Sequence, residues 1–284
     1  TYYWVYHNYR NTNWWQNELG AANNLASLGL FVYDDLNDKG QAALLGKIAN
    51  GSFYYRPSLL THSGANLIDY ADITLKSSIL TKNQDEFDMT VNRINNEIVD
   101  SNLEGFQTDG SFFQHGQQVQ IASYGKGVIR LAKVLKAISM SGEHFAADKM
   151  HIIERYLLKG LRNMTHKGYI NYSAVSREYT RLNNLSAEAN SFSQFSEYLD
   201  IPDFTEHDEL KAYLDSIANK TPSVKDGELT YFNRARMITL NCDGLYMSFK
   251  GTADYLTNTE CVNFENRLGL NLSYGTNTCV MDEG

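Results

Sequence analysis

Apolar positions recur at three- and four-residue intervals from Asn13 to about Ala218, and that spacing predicts helices. In NWWQNELGAANNLASLGLFVYDDL the repeat runs through Trp15, Leu19, Ala22, Leu25 and Leu28. DEFDMTVNRINNEIVDSNL and DKMHIIERYLLKGLRNM repeat it with charged outer faces, and GKGVIRLAKVLKAI sets Val128, Leu131, Leu135 and Ile138 on one stripe. SAEANSFSQFSEYLDI and HDELKAYLDSIAN close the helical part. Helices joined by modest loops over roughly 200 residues predict a mainly α fold, built as a bundle, a solenoid or a toroid.

Near Pro222 the period changes. ELTYFNRARMITLNCDGLYMSFKG is rich in β-branched and aromatic residues around Asp243-Gly244, a hairpin turn, and RLGLNLSYGTNTCVM alternates around Gly275. The expected organisation is a helical domain over 1–221 and the beginning of an antiparallel β-sheet domain of two to four strands over 222–284. Such a sheet would leave its edges and one face open. Further polypeptide of the same protein, or a second chain, is therefore expected to cover it. TYYWVYHNYR opens abruptly and without a cap, which also suggests an internal piece.

Composition narrows the classes. Of 284 residues, 43% are hydrophobic and 20% charged, which is a globular balance rather than a disordered one. A net charge of −8 argues against nucleic-acid or acidic-membrane binding, which needs a cationic field, but not against a local cationic pocket. No run of apolar residues is long enough to span a membrane, and the first residues lack the pattern of a signal peptide. Cys242, Cys261 and Cys279 show no zinc-ligand spacing; one disulfide or three buried free thiols are both open. The 19 tyrosines suit a sugar- or peptide-binding surface, and equally the rim of a wet core. Six Asn-x-Ser/Thr sequons, at Asn50, Asn163, Asn171, Asn184, Asn219 and Asn271, would fit secretion from a eukaryotic cell, but an Asn-rich chain also produces them by chance.

The candidate chemistry starts in DGSFFQHGQQVQIASYGKG, where His115 and Tyr124 flank a run of glutamines. On an unbroken helix, nine positions leave the two side chains facing opposite ways. Gly116, Gly125 and Gly127 break the helix, so a loop from Asp109 can turn both rings into one cleft, an arrangement suited to proton transfer. The ordinary alternative is a buried His and Tyr satisfied by hydrogen bonds. Asn66 follows Ser63-Gly64-Ala65 and serves as a helix cap or as an amide donor. Arg177 and Arg181 stand four apart, hence on one expected helical face, with only Glu178 beside them, a costly pair unless an anion joins them, or else an ordinary solvated pair. Asp34-Asp35 and Asp85-Glu86 could be taken for a glycosidase pair, but adjacent helical acids diverge and a solvated face is expected.

Taken in order, NWWQNELG, SGANLID, DGSFFQHGQQVQIASYG, the RxxxR of Arg177 and Arg181, and ECVNFENRLGLNLSYG resemble polysaccharide lyase family 8, which includes chondroitin AC, hyaluronate and xanthan lyases. The resemblance touches most of the chain. It implies an incomplete α/α toroid followed by antiparallel β-sheet domains, with the first toroid helices and most of the β part absent from this piece. It implies β-elimination on an acidic, uronate-containing polysaccharide, chondroitin or hyaluronan, by a secreted, periplasmic or surface-exposed protein. Asn66 and His115 would meet the uronate carboxylate. Tyr124 would take the C5 proton and return one to the leaving O4, with Arg177 beside it and Arg181 nearby. Trp14 and Trp15 would stack on sugar rings, and Asn17 and Gln114, in the same matching stretches, join the substrate-binding set. Glu260, Asn263 and Asn266 would reach back over the cleft from the sheet side.

The proposed chemistry needs no metal or other cofactor. Donors at Asn66 and His115 would spread the charge of an enolate-like intermediate. Arg177 would favour the phenolate of Tyr124, whose ordinary pKa is about 10. His115 is the rival base, since a free histidine titrates at roughly 6.5, closer to neutrality than a phenol. A glycan-binding or virion-surface protein without turnover and an α/α toroid glycoside hydrolase are the alternatives from other classes.

Overall fold

The computed structural model describes the chain apart from positions 1, 8, 182, 184, 243, 258, 263, 270–274 and 282–284, and apart from the side chains at positions 2, 4 and 5. It is mainly helical, with small antiparallel sheets, and it divides into two units, residues 1–97 and 98–284.

The first unit holds α1 (Tyr2–His7), α2 (Ala21–Val32), α3 (Asp38–Ile48), α4 (Gly64–Thr81) and α5 (Gln84–Glu97). Asn37 caps α3 by accepting the Gly40 N–H at 2.9 Å. Helix α4 is the centre of this unit: Leu67, Ile68, Tyr70, Ala71, Ile73 and Leu75 are all buried. The inward stripe leading through α2 is Leu19, Ala22, Ala26 and Gly29, whereas Leu25 is half-buried and Leu28 exposed. This corrects the expected leucine stripe, and the reason is distance. A methyl group on Gly29 would lie 2.9 Å from Leu80 Cδ1, so only small residues fit where α2 meets its neighbours. Asp34, Asp35 and Asp85 are exposed, as expected of a solvated face, but Glu86 is fully buried. It accepts the Ser52 hydroxyl at 2.9 Å, and burial raises its proton affinity. Glu86 fastens α5 to the Ser52 loop.

The second unit begins with the hairpin β1 (Gly105–Phe106) and β2 (Phe112–Phe113), followed by α6 (Gly127–Ser139) and α7 (Ala147–Arg155), which runs on as a π-helical stretch to Leu161. Val128, Leu131, Leu135 and Ile138 form the buried stripe of α6 that their spacing predicts. A second small hairpin, β3 (Thr165–His166) and β4 (Tyr169–Ile170), and α8 (His207–Asn219) complete the helical part. The stretch Phe192–Asp200 winds as a 3₁₀ helix, not the α-helix its sequence suggests. Its apolar residues explain the choice: Phe192, Phe195 and Tyr198 are three apart, the repeat that keeps one face aligned at three residues per turn.

After α8 come β5 (Glu228–Phe232), β6 (Met237–Cys242), β7 (Leu245–Lys250) and β8 (Thr276–Met281), one antiparallel sheet in that order. The chain itself covers one face of this sheet. Thr230 donates to Asn163 at 2.9 Å, and Asn171 donates to Tyr246 at 2.9 Å and to Ser248 at 2.6 Å. The other face carries exposed Leu229, Tyr231, Phe249 and Met281. Asp243 of the expected β6–β7 turn lies outside the described residues; Gly244, at φ 68°, supplies the left-handed position such a turn needs. Cys242, Cys261 and Cys279 are free thiols, so the disulfide alternative falls away, but none is buried as expected: Cys242 is half-buried and Cys261 and Cys279 are exposed.

One close approach ties the α7 extension to the candidate site. A methyl group on Gly160 would sit 1.9 Å from the carbonyl oxygen of Gly110, in the turn that leads to β2 and on to His115. Gly160→Ala is expected to destabilise the chain by about 1–3 kcal/mol through overpacking against backbone. Thermal unfolding checks it, and an unchanged midpoint would refute the contact.

Candidate active site

The glutamines around His115 are structural. Gln107, Gln114, Gln118 and Gln120 are all buried. Gln114 Nε2 donates to Glu104 Oε2 at 2.7 Å while the Gly116 N–H donates to Oε1 at 2.7 Å, so one carboxylate grips the turn from two sides. That turn holds His115 at φ 57° and Gly116 at φ 79° and leaves the imidazole exposed. Gln120 Nε2 donates to Gln118, Ser123 donates to Gln120, and Ser176 donates to Gln118 at 2.8 Å. Gln114, expected to meet substrate, is thus turned inward to hold the loop.

From there the chain enters a short 3₁₀ turn, Tyr124–Lys126, before α6. The rings of His115 and Tyr124 meet at 4.7 Å between centroids, tilted by 58°. Arg177 Nη2 donates to the Tyr124 hydroxyl at 3.0 Å. Glu260 bridges the group: its carboxylate lies 2.6 Å from His115 Nδ1 and 2.6 Å from Arg177 Nη1. The structure therefore brings His115, Tyr124, Arg177 and Glu260 into one cluster, with Arg177 only 6% exposed.

The two arginines sit on no common α-helical face. Ser176–Thr180 is a 3₁₀ turn and Arg181 follows it in extended backbone. Their charges are met within the chain. Arg181 donates from Nε and Nη2 to Glu265 at 2.7 and 2.9 Å and pairs with Glu178 at 3.1 Å, while Arg177 Nε lies 3.3 Å from Glu265. Lys126 donates to Glu178 at 2.9 Å and to Asn190 at 2.8 Å. The anion that the arginine pair called for is supplied by Glu260 and Glu265. Glu265 and Glu104 were not among the sequence candidates. Glu265 stands inside the same ECVNFENRLG stretch and could have been chosen as a second acid beside Glu260.

Electrostatics reverse one expectation. Burial pushes the Tyr124 hydroxyl above the ordinary phenol value, outweighing the pull of Arg177, and Glu260 and Glu178 push the same way. The resting phenol is neutral, because burial first, and the neighbouring Glu260 and Glu178 carboxylates next, oppose a negative charge there. Arg181, in contrast, holds the Glu265 carboxyl below its ordinary range.

Asn266 is buried at φ 58° and donates to the Glu260 carbonyl at 3.0 Å, so it shapes the turn beneath the carboxylate and does not face outward. Asn263 lies outside the described residues. In the first unit, Trp14 is 48% exposed and lines a cavity of about 830 Å³ with Tyr9, Arg10, Lys47 and Arg56. Trp15 is half-buried against Gly20, so the tandem tryptophans do not form one platform. Asn17 lines the same cavity, with its amide bonded to the backbone of Asn11 and Asn13. Asn66 stands half-buried in the first turn of α4, where Ser63 holds the N-cap position, so Asn66 is not the cap. Among the described residues, no group of three His, Cys, Asp or Glu is placed to hold a metal ion, and no helix is long and apolar enough to cross a membrane.

Residues 2–226 match the model of the N-terminal alpha-helical domain of polysaccharide lyase family 8. Chondroitinase-AC of Pedobacter heparinus is 24% identical over 192 residues, which are 66% of this chain and 27% of that protein. Xanthan lyase of a Bacillus species is 24% identical over 190 residues, 63% of this chain and 20% of the other. The chain thus spans about a quarter of the length of these relatives. A solved chondroitinase AC lyase, studied in oligosaccharide complexes, superposes with a TM-score of 0.84 at 20% identity, covering 99% of this chain and 41% of that one.

Proposed function

The chain belongs to polysaccharide lyase family 8, and on that premise we propose that it carries the elimination site of a lyase acting on an acidic, uronate-containing polysaccharide, chondroitin or hyaluronan. The observation that supports this most is the cluster itself: an imidazole and a phenol in ring contact, with a buried guanidinium on the phenol oxygen. In this reading, the exposed His115 ring donates to the uronate carboxylate, so the charge that develops when the C5 proton leaves is delocalised into hydrogen-bonded oxygens. Tyr124 takes that proton and returns one to the glycosidic O4 as the C4–O4 bond breaks. Arg177 stabilises the transient phenolate, and Glu260 fixes both Arg177 and His115. A neutral resting phenol suits the second, donating step. The first step uses the small phenolate fraction that the Arg177 hydrogen bond sustains.

Proton transfer by a base with a raised pKa has a signature. Turnover by Tyr124 is expected to climb with pH through the range where a free histidine has long finished titrating, whose value is roughly 6.5. A plateau from neutral pH upward would assign the base to His115 instead. The direct test is incubation with chondroitin, hyaluronan and xanthan, reading the ultraviolet absorbance of new unsaturated uronate ends. Cleavage without that absorbance would indicate a hydrolase, and binding without cleavage a glycan-binding protein.

Trp14, exposed beside Arg10, Lys47 and Arg56, is proposed as a sugar-stacking residue of the same function. Trp14→Ala is expected to weaken glycan affinity roughly three- to tenfold with little change in turnover at saturation. Isothermal titration measures it, and unchanged affinity would reject the role.

A further inference from the structure

The second unit has a groove of about 700 Å³ formed by the tip of the β3–β4 hairpin, the stretch after Tyr179 and the end of α8. The hairpin turn is Lys167-Gly168, both at positive φ (49° and 77°), and Lys220 ends α8 at φ 54°. These elements touch. A methyl group on Gly168 would lie 3.5 Å from the Ile217 carbonyl oxygen and 4.0 Å from Lys220 Cγ. Glycine or asparagine would hold either left-handed position with less strain, yet lysine occupies both. In a chain of net charge −8, the charged residues among the described lining are Lys167, Arg181 and Lys220 against Glu188 alone. Tyr169, 38% exposed, and the half-buried Tyr179 line the same groove and offer flat apolar faces with polar tips.

Arg181 links this groove to the proton-transfer cluster. It lines the groove, and its guanidinium is bonded to Glu265, which also pairs with Arg177 beside Tyr124. We infer that the groove is an extension subsite, in which Lys167 and Lys220 hold an anionic group, carboxylate or sulfate, of a sugar further along the polymer while Tyr169 and Tyr179 support its rings. The inference rests on the lyase reading above. Lysine suits the task because an ammonium on a flexible stem attracts an anion without demanding a fixed orientation. None of these four residues belongs to the chemistry at Tyr124. Their contribution should therefore depend on how long the bound oligosaccharide is.

The test uses the Tyr124→Phe chain, so that ligand is not consumed, with and without Lys167→Gln and Lys220→Gln together. Size-graded chondroitin sulfate and hyaluronan oligosaccharides, from disaccharide to dodecasaccharide, are titrated by calorimetry, and circular dichroism verifies the fold of each variant. The expected result is that affinity of the parent rises with length, and that the double lysine variant loses roughly five- to tenfold for the longer oligomers only. The loss should shrink as salt is raised. Loss with sulfated oligomers alone would identify the anchored group as sulfate, and loss with both would identify carboxylate. An equal loss at every length, or none at any length, overturns the inference while leaving the lyase reading in place. A parent chain that binds no uronate oligomer overturns both.

Discussion

Tyr124→Phe is expected to lower turnover of a uronate polymer by about 10²–10⁴-fold, the usual worth of a positioned proton donor and acceptor, while leaving glycan affinity close to that of the parent. The substitution removes one oxygen. The ring stays in contact with His115 at 4.7 Å, and Arg177 keeps both of its glutamates. Loss of turnover can then be attributed to the missing hydroxyl and not to a collapsed site. Initial rates of unsaturated-end formation, set beside calorimetric affinity, measure the two quantities separately. A variant that still turned over near the parental rate would transfer the base to His115 and leave Tyr124 a packing residue. Because burial and two carboxylates raise the proton affinity of Tyr124, the parental rate should still be rising at alkaline pH.

Arg177→Met is expected to be the most destabilising change in the site, at about 3 kcal/mol. The guanidinium is nearly inaccessible and touches Glu260 at 2.6 Å, Glu265 at 3.3 Å and the Tyr124 hydroxyl at 3.0 Å. Among the described residues, removing it leaves one partly buried carboxylate paired with His115 and the other with Arg181. The penalty comes from the stranded charge more than from the lost bonds. Adding Glu260→Gln to Arg177→Met should therefore recover part of the stability although it removes a further ionic partner. Urea unfolding of the parent, single and double variants measures the effect. Additive losses, with no recovery in the double variant, would mean that the network is solvated and that the pairs are worth no more than surface contacts.

Much of the architecture is legible in the sequence. Val128, Leu131, Leu135 and Ile138 announced α6, and the change of period after Pro222 announced a sheet that begins at Glu228. The glycines around His115 and Tyr124 marked where a helix could not continue, which is why both rings could be named as candidates. Other features lay beyond the reach of pattern. The α2 stripe shifted from leucines to alanines and glycine because another helix lies close, a fact recorded nowhere in α2 itself. Gln114, expected to meet substrate, belongs with Gln107, Gln118 and Gln120 to a buried scaffold. Glu260 stands 145 residues from His115 and 83 from Arg177, and no spacing rule joins them.

Period, turn chemistry and motif order are properties of neighbouring residues, so the sequence alone determined the helical class, the position of the sheet and the family's candidate residues. The pairing of Arg177 with Glu260 and Glu265, the inward turn of Gln114 and the upward shift of Tyr124 were decided only by tertiary structure. Each depends on which distant segments meet and how much water they exclude, and the strength of a charge interaction depends on that exclusion.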